Sequence, residues 1–390
     1  MADDDSKVAD IRAQMPATQS ATYLNTGTFG PLPAVAIEAM ADYQRTELEQ
    51  GRIGGDTWTR SGETKDRARA ALARLFGASV DNVALTRHTT DGMNIAINGL
   101  NWRPGDELVI TDMEHPGAQL PVYNVARRYG VTVRLARLGD GTGDVAGTIE
   151  NLISPRTRMV VISHLTWNTG TVLPIAEVAD MAHRHHVLVT VDAAQSAGSI
   201  PLNLPATGVD VYGGPGQKWL CGPEGTGEVY VSDAALDVIQ PTVVGYASMG
   251  PGMEHQGGYF LPAHGARRFE VGGMNGPQVA GQAASLEFLL DTVGLDWAHA
   301  RIARLGQYAF EQLSALDGIT MLTPKDQMAG IVSFALDGIE PPDLTAALGE
   351  RGVLIRHLHG PDGNRVSTGY YNTEQDVDRL IGAVREIRAA

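Results

Sequence analysis

Residues 187–231 read VLVTVDAAQSAGSIPLNLPATGVDVYGGPGQKWLCGPEGTGEVYV, and their texture decides the fold. Val187–Val191 is apolar or β-branched at every position, the pattern of a strand covered on both faces. The run stops at an acid, Asp192, with Gln195 one turn further on. A second run, Val209–Tyr212, leads into glycines and prolines that surround Lys218, and a third, Gly227–Ser232, follows. Lys218 stands out because the chain carries only Lys7, Lys65, Lys218 and Lys325, so 26 of its 30 basic residues are arginine. Only a lysine amine can lose its proton near neutral pH and attack a carbonyl, provided its surroundings lower its pKa.

Outward from this stretch the same texture continues. Asn82–Thr86, Glu107–Thr111 and Met159–Ser163 are further short β-branched runs that alternate with helical patterns. The alternation predicts an α/β fold: an open, mostly parallel sheet covered by helices on both faces. Residues 240–265 are rich in Gly and Pro and read as a long loop. Beyond it come a helical pattern over Pro277–Thr292, a strand over Gly330–Leu336 and a helix over Pro342–Arg351. A strand over Val353–Arg356 and a final helix from Thr373 complete a smaller α+β domain. The expected division is an N-terminal arm (1–30), a large domain (31–262) and a small C-terminal domain (263–390).

Composition excludes several classes. With 390 residues, 43% hydrophobic and 19% charged, the chain has the make-up of a globular protein with room for two cores. A net charge of -15 argues against nucleic acid, whose phosphates are met by basic patches. The start MADDDSKVAD lacks an apolar signal core, and runs such as Met159–Ile162 are too short to span a bilayer, so no membrane and a cytoplasmic location are expected. The single cysteine, Cys221, rules out an internal disulfide and a cysteine metal cluster, and no metal is expected. LGDGTGDV, Leu138–Val145, lacks the G-x-G-x-x-G spacing of a dinucleotide site and reads as a turn, which argues against a nicotinamide dehydrogenase.

In open α/β sheets ligands sit outside the carboxyl ends of the strands. The run ending at Thr86 is followed by Thr89 and Thr90, candidate caps of a helix whose free N–H groups suit an anion. The run ending at Thr111 leads to His115; the others end at Asp192 and before Lys218. A carboxylate at the end of an apolar strand is costly unless it meets a cation. Anion cap, imidazole, carboxylate and amine therefore converge on one sheet edge. Pyridoxal 5'-phosphate needs that set: an amine for its aldehyde, an acid for its ring nitrogen, a flat group for its face and N–H donors for its phosphate.

The stretches YLNTGTFGPLP, TTDGMN, DMEHPG, SHLTWNTGTVLP, VDAAQSAG, GQKWLCGPEGTG, RRFEVGG and RVSTGYYNTEQDVD occur in this order between Tyr23 and Asp378. In them the chain resembles the class V aminotransferases of the fold type I pyridoxal phosphate enzymes. That group includes cysteine desulfurases, cystine carbon–sulfur lyases and isopenicillin N epimerase-like proteins, and the lyases are nearest in look. The resemblance implies that Lys218 is the Schiff-base lysine and proton shuttle, that Asp192 pairs with the ring nitrogen, that His115 stacks on the ring and that Gln195 reaches the phenolic oxygen. It implies phosphate contacts from Thr89, Thr90 and Gln217, and a substrate carboxylate clamped by Arg365 with Arg356 second.

Three positions depart from the family. Relatives often carry Ser or Thr two residues before a His-Lys pair, where Pro215, Gly216 and Gln217 precede Lys218 here. Asn is common where this chain has Thr166, read as a substrate-binding position. Relatives often supply a Thr to the partner subunit's phosphate where this chain has Gly273; a homodimer with sites near the subunit interface is expected. Cys221 reads as a packing residue. The leading reaction is β-elimination from a cystine- or cysteine-like amino acid, with transamination as the alternative and epimerisation and desulfuration ranked behind.

Overall fold

The computed structural model describes residues 2–254 and 256–389. The arm contributes a first short strand, β1 (Thr22–Tyr23). The large unit carries β2 (Val83–Thr86), β3 (Glu107–Thr111), β4 (Thr132–Ala136), β5 (Thr157–Ser163), β6 (Leu188–Asp192), β7 (Val211–Pro215) and β8 (Gly227–Val231). These form one seven-stranded sheet in the order β2-β8-β7-β6-β5-β3-β4. Every neighbouring pair is parallel except those of β8, which runs antiparallel to both β2 and β7. Because side chains alternate across a strand, Val160 and Ile162 enter one apolar layer with Phe76 and Val189, while Met159 and Val161 enter the other with Met93 and Ile97. Both faces are buried, which is why these runs show no polar alternation.

The smaller sheet is antiparallel, in the order β12-β13-β10-β9, from β9 (Ile319–Met321), β10 (Ile331–Leu336), β12 (Arg356–Leu358) and β13 (Gly363–Ser367). Phe334, Val366, Leu344 and Leu380 fill a core of their own beneath it. The expected strand Val353–Arg356 is two pieces. Val353–Leu354, β11, pairs in parallel with β1 of the arm, and Arg356 begins β12. The arm then crosses to the large unit, where Gly30 N donates to Gln217 O at 2.8 Å.

Two further differences have physical causes. β4 shows no continuous apolar run because it is an edge strand with Thr132, Arg134 and Leu135 exposed. Helix Gly276–Glu287 packs on helices Ala34–Gln50 and Gly55–Phe76, and its Val279, Ala283 and Leu286 belong to the first apolar layer of the large unit. This packing lies beyond the expected 262/263 boundary, because buried apolar surface and not chain position assigns a helix to a core. Within the expected loop, Met249 and Pro262 form an isolated bridge, and Gly265 opens a 3-10 helix, Gly265–Phe269.

Candidate active site

The carboxyl ends of β2, β3, β6 and β7 face β12 across a cleft of about 300 Å³ lined by Thr89, Thr90, His115, Asp192, Lys218 and Arg356, among others. Lys218 stands in a tight turn after β7, closed by hydrogen bonds from Gly222 N to Gly216 O (2.7 Å) and from Gly216 N to Thr226 O (2.9 Å). Burial lowers its amine from 10.5 to about 8; Asp192 opposes this, and Arg365 and Arg356 add to it. Asp192 is 3% exposed and accepts from Ala194 N at 2.9 Å. Burial raises its pKa, with Lys218 acting against the rise. Such an acid wants a cation or a protonated ring nitrogen beside it.

His115 precedes Pro116 at a helix start and its Nδ1 accepts from Gly117 N at 3.0 Å. The proton of the neutral ring therefore sits on Nε2. Burial and three cations, Lys218, Arg356 and Arg365, push its pKa down to about 4, so it is uncharged at neutral pH. Thr89 and Thr90 do not cap their helix. The cap position is His88, which makes no side-chain bond, and Thr89 is the first helical residue. The opening N–H groups of helix Thr89–Asn98 thus lack an intrahelical acceptor and both threonines line the cleft.

Arg365, on β13, is 1% exposed and paired in register with Arg356 on β12. Like charges directly opposite one another on a sheet repel. Among the described residues Arg365 meets only neutral acceptors, Trp167 O at 2.8 Å and Thr28 Oγ1 at 3.0 Å, and its Nε has no partner. Burial and Arg356 both disfavour its charged form. Two arginines facing each other without a carboxylate make a receptor for an anion.

Gln195, Thr166 and Gly273 are not among the residues that line this cleft, although Gln195 Oε1 and Arg365 flank the same point beside Gly27. Gln195 is 2% exposed, with Nε2 donating to Gly27 O and Oε1 accepting from Trp219 Nε1, both at 2.9 Å. It braces the arm and keeps one amide hydrogen over. Thr166 is fully buried; its hydroxyl bonds Thr169 Oγ1 and accepts from Thr171 N, both at 2.8 Å, so it stitches a turn. Gly273, expected at the partner subunit's phosphate, borders two other hollows, near Tyr246. Gln217 does line the cleft, with an amide oxygen that no protein donor satisfies. Missed in the sequence were Thr28 and Phe29 of the arm, which lie unremarked inside YLNTGTFGPLP, and Trp167, which lies unremarked inside SHLTWNTGTVLP.

Comparison with known proteins matches residues 22–380 to the family described as Aminotransferase class-V. The chain belongs to that family. It is 30% identical to a probable cysteine desulfurase of Methanothermobacter thermautotrophicus, over 98% of each chain. Among solved structures it is 34% identical to the cystine C–S lyase C-DES in complex with its reaction product cysteine persulfide, with a TM-score of 0.90 over 95% of this chain and 98% of that one. A variant of C-DES with glycine covalently linked to its pyridoxal phosphate cofactor gives 33% identity and a TM-score of 0.91 over the same shares. Class V enzymes use pyridoxal 5'-phosphate, and the cleft suits it. Lys218 offers an amine lowered to about 8, Asp192 a buried acid, His115 an uncharged ring and the Thr89 helix start free N–H groups, a set that would suit the cofactor's aldehyde, ring nitrogen, face and phosphate.

Proposed function

We propose that this class V enzyme is a carbon–sulfur lyase that cleaves cystine or a cystine-like disulfide amino acid by β-elimination. The observation that carries the reading is Cys221. The family's desulfurases pass sulfur to a nucleophilic protein cysteine, but the only cysteine here is fully buried and burial pushes its thiol up to about 12. Its Sγ lies against the arm, where a side chain on Gly30 would collide with it. A sulfur atom released in the cleft has no protein thiol to receive it and leaves with its own fragment.

When bound, pyridoxal phosphate supplies a ring that stabilises negative charge developing at the substrate Cα. Arg365, backed by Arg356, binds the α-carboxylate. Lys218, near neutrality, takes the Cα proton. Asp192 holds the proton of the ring nitrogen in a poorly hydrated pocket, and His115 packs as a neutral ring. The Cβ–S bond breaks with its electron pair on sulfur, and a disulfide sulfur leaves better than a thiolate because a persulfide is the weaker base. Cystine and one water yield cysteine persulfide, pyruvate and ammonia.

The test is the product balance from purified protein loaded with pyridoxal phosphate. Cystine should give pyruvate and persulfide without a keto acid, and Cys221→Ala should retain the activity. Alanine as the main product, or turnover that requires a keto acid, would replace the lyase with a desulfurase or a transaminase. We also propose that the enzyme works as a homodimer in the cytoplasm. Val243, Tyr246 and Val271 leave apolar surface exposed beside Gly273.

A further inference from the structure

The turn after β5 carries a residue to which no role has yet been given. Thr166 N donates to Thr171 O at 2.9 Å, and the hydroxyls of Thr166, Thr169 and Thr171 are linked at 2.8 Å each. Ser333 Oγ donates to Asn168 O and Thr323 Oγ1 to Thr169 O, so the turn is bolted to the small sheet. Ser333 is itself paired in register with Arg365.

At the crown stands Trp167. Its carbonyl accepts the 2.8 Å bond from Arg365, and its ring lies at 85° to that of His115 with centroids 5.3 Å apart. Among the described residues the His115 ring has one hydrogen bond, from Gly117 N to Nδ1, which fixes one edge of the imidazole and leaves any swing about that edge to be limited by packing. A perpendicular indole blocks that swing, and edge-to-face pairs are favourable in their own right. The indole Nε1 is buried and meets no protein acceptor among the described residues.

We propose that Trp167 is a positioning residue that joins the two halves of the site. It sets the plane of His115 from one side and the aim of Arg365 from the other, so the cofactor-facing ring and the carboxylate clamp keep a fixed separation. The inference rests on the roles given above to His115 and Arg365. Thr166, expected to touch substrate, acts one step back by shaping the turn that presents Trp167.

Trp167→Ala and Trp167→Phe in the full chain test it, with His115→Ala and Arg365→Lys alongside. Cofactor affinity is read by absorbance titration of the cofactor-free protein with pyridoxal phosphate, and KM and kcat are read with cystine. Trp167→Ala should weaken cofactor binding about 2- to 10-fold, the worth of an aromatic pair, and should raise KM more than it lowers kcat. Trp167→Phe keeps a flat ring and loses only an unpaired N–H, so it should stay within about 2-fold of wild type on both. If Trp167→Ala does not fold, Trp167→Leu, which fills volume without a ring, takes its place. Unchanged cofactor affinity and KM in the ring-less variant, or equal damage in Trp167→Phe, overturns the inference. If His115→Ala and Arg365→Lys also leave both constants untouched, the reading of the site fails first and the inference with it.

Discussion

At Lys218 burial and two arginines draw the amine down while Asp192 holds it up, leaving a base poised near neutrality. Lys218→Ala should abolish borohydride-fixed labelling by pyridoxal phosphate and lower turnover by about 100-fold or more, the usual worth of a positioned base. A variant that still fixes the cofactor at another lysine refutes the assignment. At Arg365 the geometry argues for a planar fork: NH1 and NH2 are anchored to Trp167 and Thr28, and Arg356 stands across the strand pair. Arg365→Lys keeps the charge but loses the fork, and should raise KM for amino acids about 10- to 100-fold, the range for a charge-assisted hydrogen bond. An unchanged KM would move the clamp to Arg356. Both residues were legible as chemistry, a rare lysine in a turn and an arginine in a familial stretch. Trp167 was not, because its role is to touch two residues distant in the chain.

Among the elements, helix Thr89–Asn98 is aimed by two glycines: a Cβ on Gly92 would stand 3.0 Å from Gly213 Cα on β7. Gly92→Val should push the helix off the sheet, costing about 1–3 kcal/mol by overpacking, and should weaken cofactor binding because the N–H cradle moves with it. Paired thermal melts and cofactor titrations check this; normal cofactor affinity would show that the helix start is not the cradle. The ends of β3 and β5 are tied by Glu114, 2% exposed, which accepts from Thr111 Oγ1 at 2.7 Å, Ser163 N at 2.8 Å and Ser163 Oγ at 2.7 Å. Burial, with Asp192 nearby, raises its pKa from 4.5 to about 7. A raised carboxyl contributes stability that is full below its unfolded value and is lost as pH climbs through the folded one. The cofactor-free protein should therefore weaken, relative to Glu114→Gln, between about pH 4.5 and pH 7, by up to about 3 kcal/mol. Melts of both proteins across that window measure it, and parallel curves would dismiss the effect. β13 escaped pattern reading because Asn364, Arg365 and Ser367 are buried polar residues that break any apolar run. The central strands were readable because both their faces are dry.

For the whole molecule, the site is assembled from the arm, the large sheet and the small sheet, and the arm spans the other two by receiving Ser367 N of β13 at Leu24 O and by bonding Gln217. The exposed apolar surface near Gly273 predicts a dimer, to be read by sedimentation. Tyr246→Glu should shift the protein toward monomer; a monomeric wild type would remove the case. By itself the sequence determined the α/β class, the parallel core and the identity of the chemical groups. Those follow from local properties: β-branched runs buried on both faces, glycine turns, and the scarcity of lysine. What only the tertiary structure decided is who meets whom. Gln195 bonds Gly27 and Trp219, and Thr166 bonds Thr169 and Thr171. The arginines of β12 and β13 face one another, and Trp167 stands between ring and clamp. Such pairings are set by strand register and by how a turn docks on a distant sheet. They depend on contacts between residues about 200 apart, as with Trp167 and Arg365, and no local pattern in the chain encodes them.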